Sequence, residues 1–192
     1  FPFFFFIVFL VIVGSLVRVS RISWIGVWGG LELNILCFLP IVMHFSSFLR
    51  IERVVKYFLI QSFGSVGVLI GGLFEDSFFY GYFGFIFFIL CMSLFLKVGV
   101  FPFHWWVSGV ISGLRWFGVV FLSTWQKVAP VLIFSRISRR RFILLLLRVF
   151  SSFFGGLSGI GQTRIRSILA YSSIGHAGWF FSLFCLTNLY FY

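Results

Sequence analysis

Long apolar stretches alternate with short basic or polar segments along the whole chain. A helix that crosses a bilayer needs about 20 mostly apolar residues, and seven stretches approach or exceed that length. They cover residues 2–17, 22–45, 54–74, 78–107, 116–137, 142–161 and 167–189. Because every connecting segment is short, neighbouring helices are expected to be antiparallel and adjacent. The pattern predicts an all-α polytopic membrane protein with about seven transmembrane helices.

The composition and the charge distribution favour the same class. Of the 192 residues, 61% are hydrophobic and 10% are charged, whereas a soluble domain has about 25% charged residues. The net charge is +11, and the basic residues fall mostly in short clusters between apolar runs. This arrangement is typical of loops at a lipid headgroup surface, so we expect no nucleic-acid partner. The 32 phenylalanines indicate a codon bias in a skewed genome rather than a binding surface.

The chain shows no sign of a metal or cofactor site. Its three cysteines lie inside apolar runs without CxxC spacing and are interpreted as small buried hydrophobes. Neither a His-x-x-x-His pattern nor a cluster of carboxylates is present, so we expect no metal.

Four Glu and Lys residues lie inside the predicted spans, and Arg148 interrupts the sixth. Glu32 and Lys127 fall near the middle of their spans, and Lys97 lies deep in the fourth. Lys56 is one turn inside the third span. Its side chain could extend to the membrane surface or could act inside the membrane, and the two interpretations are equally good. Charges at membrane depth are costly and usually face a partner or a wet cavity. We interpret them as residues that handle protons or ions, with a static buried ion pair as the alternative.

The three lysines all fall inside spans, whereas the loops use arginine. Arginine stays protonated in proteins, but lysine can lose its proton when it is desolvated or placed near another cation. Lysine is therefore the useful base wherever a side chain must gain and release protons.

Glycine and proline residues accompany the buried lysines. Gly99 and Pro102 follow Lys97 and should interrupt that helix, because proline removes a backbone donor and clashes one turn back. Pro130, three residues after Lys127, is a similar point of weakness. Irregular backbone at membrane depth often marks an ion pathway, although a simple proline kink is common.

His176 lies deep in the seventh span, beside two serines. A neutral histidine can relay protons near physiological pH, and a hydrogen bond between helices is the alternative.

Five sequence strings carry a resemblance to one family. The strings are WGGLELN around Glu32, KYFLIQS from Lys56, LKVGVFPFHWW from Lys97 onwards, TWQKVAP around Lys127, and GQTRIRSILAYSSIGHAGW at the last span. In this order and spacing, the chain resembles the subunit 2 family of mitochondrial NADH:ubiquinone oxidoreductase, respiratory complex I, over residues 24–180.

The resemblance implies an antiporter-like fold. Such subunits are similar to cation/proton antiporters and contain two inverted five-helix repeats. Residues 1–137 would then form one complete repeat, and residues 138–192 the first two helices of an incomplete second repeat. A split gene, a shortened chain and a partial sequence are the alternatives for the absent helices, which a separate chain could supply.

The resemblance also implies proton-transfer roles for particular residues. Glu32, Lys97 and Lys127 match the family's glutamate and lysines, and Lys56 matches a further lysine on the same hydrophilic axis. Glu32, Lys97 and Lys127 are expected to converge near mid-membrane, where the carboxylate would modulate the nearby lysine.

The expected function is a proton-translocating membrane-arm subunit of complex I in the mitochondrial inner membrane. The redox chemistry would lie on other chains, so no cofactor is expected here. The expected partners are other membrane-arm subunits, including the antiporter-like subunit 4 and subunit 4L, and lipids such as cardiolipin. A subunit of a cation/proton antiporter and a structural complex I subunit that no longer pumps are the alternatives.

Overall fold

The structure, a computed structural model, describes residues 8–15, 23–43, 48–76, 83–137 and 141–190, and all regular secondary structure in these ranges is helical. The helices are residues 8–15 (α1), Trp24–Met43 (α2), Phe48–Asp76 (α3), Phe83–Val98 (α4), Trp105–Ile111 (α5), Trp116–Ser123 (α6), Trp125–Ile137 (α7), Arg141–Ile160 (α8) and Ile165–Tyr190 (α9). The all-α prediction is therefore confirmed for the described residues. Both ends of the predicted first span, residues 2–17, lie outside them.

Two of the described helical stretches are long and apolar enough to cross a bilayer by length and composition. They are Ile51–Glu75 and Trp116–Phe134. Shorter apolar helices cover Trp24–Pro40, Gly84–Val98 and Val149–Ile160. The predicted number of seven spans stays a prediction.

The helix boundaries differ from the hydropathy pattern where charge or irregular backbone intervenes. The α3 helix begins at Phe48 rather than at residue 54 and includes Glu52 and Lys56, because a helix can continue past the apolar layer into the headgroup region. The predicted fourth span over residues 78–107 is divided: α4 ends at Val98, and α5 begins seven residues later at Trp105.

The chain divides into two compact units, residues 1–97 and residues 98–192. A compact unit and a structural repeat are different properties. The predicted repeat boundary between residues 137 and 138 therefore stays a prediction.

Close packing of α3 against its neighbours organises the first unit. The aromatic rings of Phe38 on α2 and Tyr57 on α3 meet edge to face, with centroids 5.5 Å apart. Glycines on the other part of α3 allow α4 to approach closely. Gly64 faces Lys97, Gly67 faces Ser93 and Gly71 faces Leu90.

Helix α9 is the centre of the second unit. It packs along α8, and it also contacts α5, α6 and α7. Ala170, Ile174 and Ala177 are fully buried on α9, at the spacing of one helix face. Helix α8 approaches α9 closely at Gly155, where an added Cβ would lie 2.9 Å from the backbone nitrogen of Gly175.

Candidate functional site

Glu32 is held from the neighbouring helix by a serine. It lies half-buried on α2, and its Oε1 accepts a hydrogen bond from Ser65 Oγ on α3. Ser65 is completely buried, and its Oγ also lies 2.8 Å from the carbonyl oxygen of Ser62. The carboxylate therefore has a neutral donor inside the helix bundle.

Lys97 is fixed by the same turn of α3. It is the penultimate residue of α4, and only 4% of its surface is exposed. Its aliphatic stem lies against Gly64, where an added Cβ would come within 2.7 Å of Lys97 Cγ. The Lys97 carbonyl oxygen accepts a hydrogen bond of 3.1 Å from Gln61 Nε2. Because Gly64 and Ser65 are consecutive, one turn of α3 contacts both Glu32 and Lys97.

Lys127 has its own environment in the second unit. It is the third residue of α7 and is 8% exposed. Its Nζ donates to the carbonyl oxygen of Ser173 at 2.8 Å and to Ser173 Oγ at 3.0 Å. Residues 98–192 contain no Asp or Glu. Within its unit, Lys127 is thus held by neutral acceptors rather than by a carboxylate.

A cavity of about 820 Å³ opens beside Lys127, between α6–α7 and α9. Its lining includes Thr124, Lys127, Ser173 and His176. His176 is exposed, so its imidazole is accessible from this cavity. The structure therefore brings His176 and Lys127 to one cavity, as a relay would require.

Both buried lysines lie next to an interruption of a helix. Two residues after Lys97, Gly99 adopts a φ of +72°, a left-handed conformation that favours glycine. An added Cβ there would collide with Val107 on α5. The chain then passes Pro102, which follows a cis peptide bond, before α5 begins.

The interruption beside Lys127 lies at Thr124, between α6 and α7. The Thr124 hydroxyl donates to the carbonyl oxygen of Val120 at 2.7 Å, and the Thr124 backbone nitrogen donates to the same oxygen at 3.0 Å. Such back-bonding from threonine weakens and bends a helix. The structure differs here from the expected break at Pro130, which lies inside α7. Helix α7 continues past this proline to Ile137 although one backbone donor is absent there.

Lys56 is placed apart from Lys97 and from Glu32. Its Nζ lies 2.6 Å from Glu52 Oε1, and its side chain is 62% exposed. Lys56 and Ser65 are nine residues apart, which at 3.6 residues per turn puts them on opposite faces of α3. Lys56 is therefore exposed and paired with a carboxylate of its own helix.

The sequence pattern did not single out five residues of this site. They are Gln61, Gly64, Ser65, Thr124 and Ser173. For Gln61 and Ser65 a signal was present, because polar residues four positions apart on an apolar helix share one face. The partner of Ser173 lies 46 residues away, and no local pattern reveals a contact over that separation.

Comparison with known proteins identifies the family. The profile described as "NADH:quinone oxidoreductase/Mrp antiporter, TM" matches residues 22–191. The NADH-ubiquinone oxidoreductase chain 2 of Lumbricus terrestris is 37% identical over 174 residues, which cover 90% of this chain and 52% of the relative. The chain 2 of Anopheles gambiae is 38% identical over 176 residues, covering 88% of this chain and 51% of the relative.

The fold is also similar to a chain of a solved complex, the respiratory complex I from Thermus thermophilus with bound aureothin. The TM-score is 0.81 at 26% sequence identity, and the match covers 92% of this chain and 44% of that chain. This chain spans about half the length of the relatives that it matches. The resemblance seen in the sequence motifs is confirmed, and the chain belongs to the NADH:quinone oxidoreductase/Mrp antiporter family of integral membrane proteins.

Proposed function

We propose that this chain is a membrane-arm subunit of an NADH:ubiquinone oxidoreductase and that it moves protons through the membrane. The observation that carries the proposal is the burial of two lysines, Lys97 and Lys127, in a chain of this family. A buried amine can exchange its proton, whereas the arginines of the loops cannot. The chain 2 relatives support subunit 2 as the specific assignment.

In this proposal, Glu32 and Lys97 form the element that responds to events elsewhere in the complex. One turn of α3 contacts both residues, and the hydroxyl of Ser65 donates to the Glu32 carboxylate. A small shift of α3 would change how strongly the carboxylate compensates the charge on Lys97. In a low-dielectric interior such a change alters the proton affinity of the amine.

Lys127 serves as a second proton carrier, and its partners define how it works. Its Nζ donates two hydrogen bonds to Ser173, and the adjoining cavity also exposes His176. A proton released from Nζ can pass to His176 through water in this cavity. Lys56 is left out of this path because of its exposed ion pair with Glu52.

The proposal includes a membrane location and partner subunits. The redox cofactors are carried by other chains of the complex. Antiporter-like subunit 4 and subunit 4L are the proposed neighbours in the mitochondrial inner membrane, together with lipids such as cardiolipin. Residues 1–137 form the first five-helix repeat and residues 138–192 begin the second.

The test is Lys97→Met in the assembled complex, with Lys56→Met as the matched control. Both variants remove one amine and keep a flexible apolar side chain. We expect Lys97→Met to lower the protons moved per electron by a larger factor than it lowers the amount of assembled complex. We expect Lys56→Met to change neither quantity strongly.

Two results would contradict the proposal. Normal pumping per electron in a fully assembled Lys97→Met complex would favour a structural subunit that no longer pumps. Recovery of this chain in a sodium- or potassium-linked antiporter without NADH dehydrogenase activity would favour the antiporter reading.

A further inference from the structure

Gln61 connects α3 to the end of α4. Its side chain is buried, and its Nε2 donates to the carbonyl oxygen of Lys97 at 3.1 Å. Lys97 lies in the last turn of α4, which ends at Val98. The last four carbonyl groups of a helix have no partner inside that helix, and Gln61 donates to one of these four. The glutamine is thus a side-chain cap on the helix end that carries the lysine.

The position of Gln61 follows from the packing of α3 against α4. The glycines of α3 meet residues of α4 in reverse order, from Gly64 at Lys97 to Gly71 at Leu90. The two helices are therefore antiparallel, and each step towards the start of α3 is a step towards the end of α4. Gln61 lies three residues before Gly64 and comes opposite that end. Its side chain is long enough to reach the Lys97 carbonyl there.

Helix α3 thus contacts Lys97 at two points. The aliphatic stem lies along Gly64, where an added Cβ would come within 2.7 Å of Lys97 Cγ and 3.2 Å of Lys97 Cε. The backbone is held by Gln61. A lysine side chain is a flexible four-carbon stem, so the place of its amine depends on both contacts. Ser65, which donates to Glu32, is four residues after Gln61 and lies on the same face of α3.

We propose that Gln61 is a positioning residue for Lys97. Its hydrogen bond holds the end of α4 against α3 and so limits where the amine can move relative to the Glu32 carboxylate. The inference rests on the proposed proton transfer and adds to it the residue that sets the geometry of the lysine.

The physical reason is the cost of a bare carbonyl at this depth. An unpaired backbone oxygen is expensive in an apolar interior, so the end of α4 should rearrange when its donor from α3 is removed. The backbone of Lys97 would move with it. Because the interaction of two charges depends on their separation, the influence of Glu32 on the amine would change as well.

The test is Gln61→Met in the assembled complex, reconstituted into sealed vesicles. Methionine keeps the length and flexibility of the side chain and removes the donor. We expect the rate of proton transfer per assembled complex to fall roughly tenfold, within the range for a buried acceptor that loses its donor. The matched control is Gln162→Met, the same substitution in the turn between α8 and α9, which should leave the rate unchanged.

A double-mutant cycle separates positioning from a general structural effect. It compares Gln61→Met, Lys97→Met and the combination of the two. Substitutions that act independently multiply their effects on a rate, whereas residues that act through one group do not. We expect Gln61→Met to lower the residual rate of the Lys97→Met complex no further, because no amine is left to be positioned.

The variant Gln61→Asn covers a methionine variant that fails to assemble. It keeps the amide and shortens the side chain by one methylene group, so the amide no longer reaches the Lys97 carbonyl. We expect a lower rate of proton transfer and the same lack of a further effect in the Lys97→Met complex.

The outcomes separate this inference from the proposed function. A normal rate in assembled Gln61→Met or Gln61→Asn, together with a low rate in Lys97→Met, would refute the role of Gln61 and leave the proposed function in place. Equal fractional losses with and without the Lys97 amine would give Gln61 a structural role alone and would also refute the inference. A normal rate in Lys97→Met would overturn the proposed function and this inference with it.

Discussion

Replacing Gly155 by alanine should force α8 and α9 apart. The added Cβ would lie 2.9 Å from the backbone nitrogen of Gly175 and 3.0 Å from the backbone oxygen of Tyr171. Backbone atoms inside a helix cannot move alone, so α9 must withdraw by roughly 0.5 Å to restore ordinary contact, which weakens dispersion along the interface. Overpacking of this kind costs about 1–3 kcal/mol.

The neighbouring residue offers a matched control. Gly156 lies on the same helix, and an added Cβ there meets nothing within 4 Å. Both substitutions gain the same helix propensity, about 0.5–1 kcal/mol for Gly to Ala. The difference between the variants therefore isolates the steric cost. A cost of about 2 kcal/mol corresponds to roughly 4–8 °C in the unfolding midpoint for a chain of this size.

The assay heats the solubilised complex and follows the retention of this chain on native gels. Gly155→Ala should lose the chain at a temperature several degrees lower than Gly156→Ala. Because Tyr171 and Gly175 flank Ser173, the assembled fraction of Gly155→Ala should also move fewer protons per electron. Equal midpoints for the two variants would show that α8 and α9 are not packed this closely.

Two further substitutions test the surroundings of the buried lysines. Ser173→Ala removes one of the two acceptors of Lys127 and should slow proton transfer in sealed vesicles roughly fivefold, the value of a hydrogen bond of about 1 kcal/mol. Ser152→Ala changes an exposed hydroxyl on α8, outside the lining of the cavity, and should have no effect. Equal rates in the two variants would contradict the assigned contact. Gly99→Ala should lower the apparent unfolding midpoint, because the left-handed conformation costs an alanine about 1–2 kcal/mol and its Cβ collides with a side chain of α5. Gly109→Ala is the control, because an added Cβ there has open space around it. Equal unfolding midpoints for the Gly99→Ala and Gly109→Ala complexes would refute the claim that position 99 requires glycine.

The apolar pattern predicted the last two helices well. The predicted spans over residues 142–161 and 167–189 correspond to Arg141–Ile160 and Ile165–Tyr190, because short polar turns bound each of them. The pattern placed the start of α3 too late, because hydropathy marks where the apolar layer begins and the backbone hydrogen bonds of the helix begin earlier, at Phe48. It also missed Thr124, since back-bonding by a threonine depends on its rotamer and leaves no mark in hydropathy.

The candidate site could be predicted only in part. Glu32, Lys97 and Lys127 stood out because a charge in an apolar run is expensive. The partners Ser65 and Ser173 did not, because serine is ordinary in membrane helices and its role depends on contacts distant in the sequence. Helical periodicity could have separated Lys56 from the site, because the spacing of nine residues places it on the opposite face of α3 from Ser65.

The close packing of α8 against α9 also limits which substitutions this sequence can accept. With 32 phenylalanines, the chain shows a strong compositional bias, and large aromatic residues occupy outward positions such as Phe63, Phe85 and Phe153, which are 71%, 65% and 59% exposed. One turn of α8 contains both extremes, an outward Phe153 and an inward Gly155. A substitution to phenylalanine is tolerated wherever the side chain contacts fluid acyl chains. Position 155 has no room even for a methyl group. Outward-facing positions therefore tolerate substitution by phenylalanine, whereas positions at the contacts between helices do not.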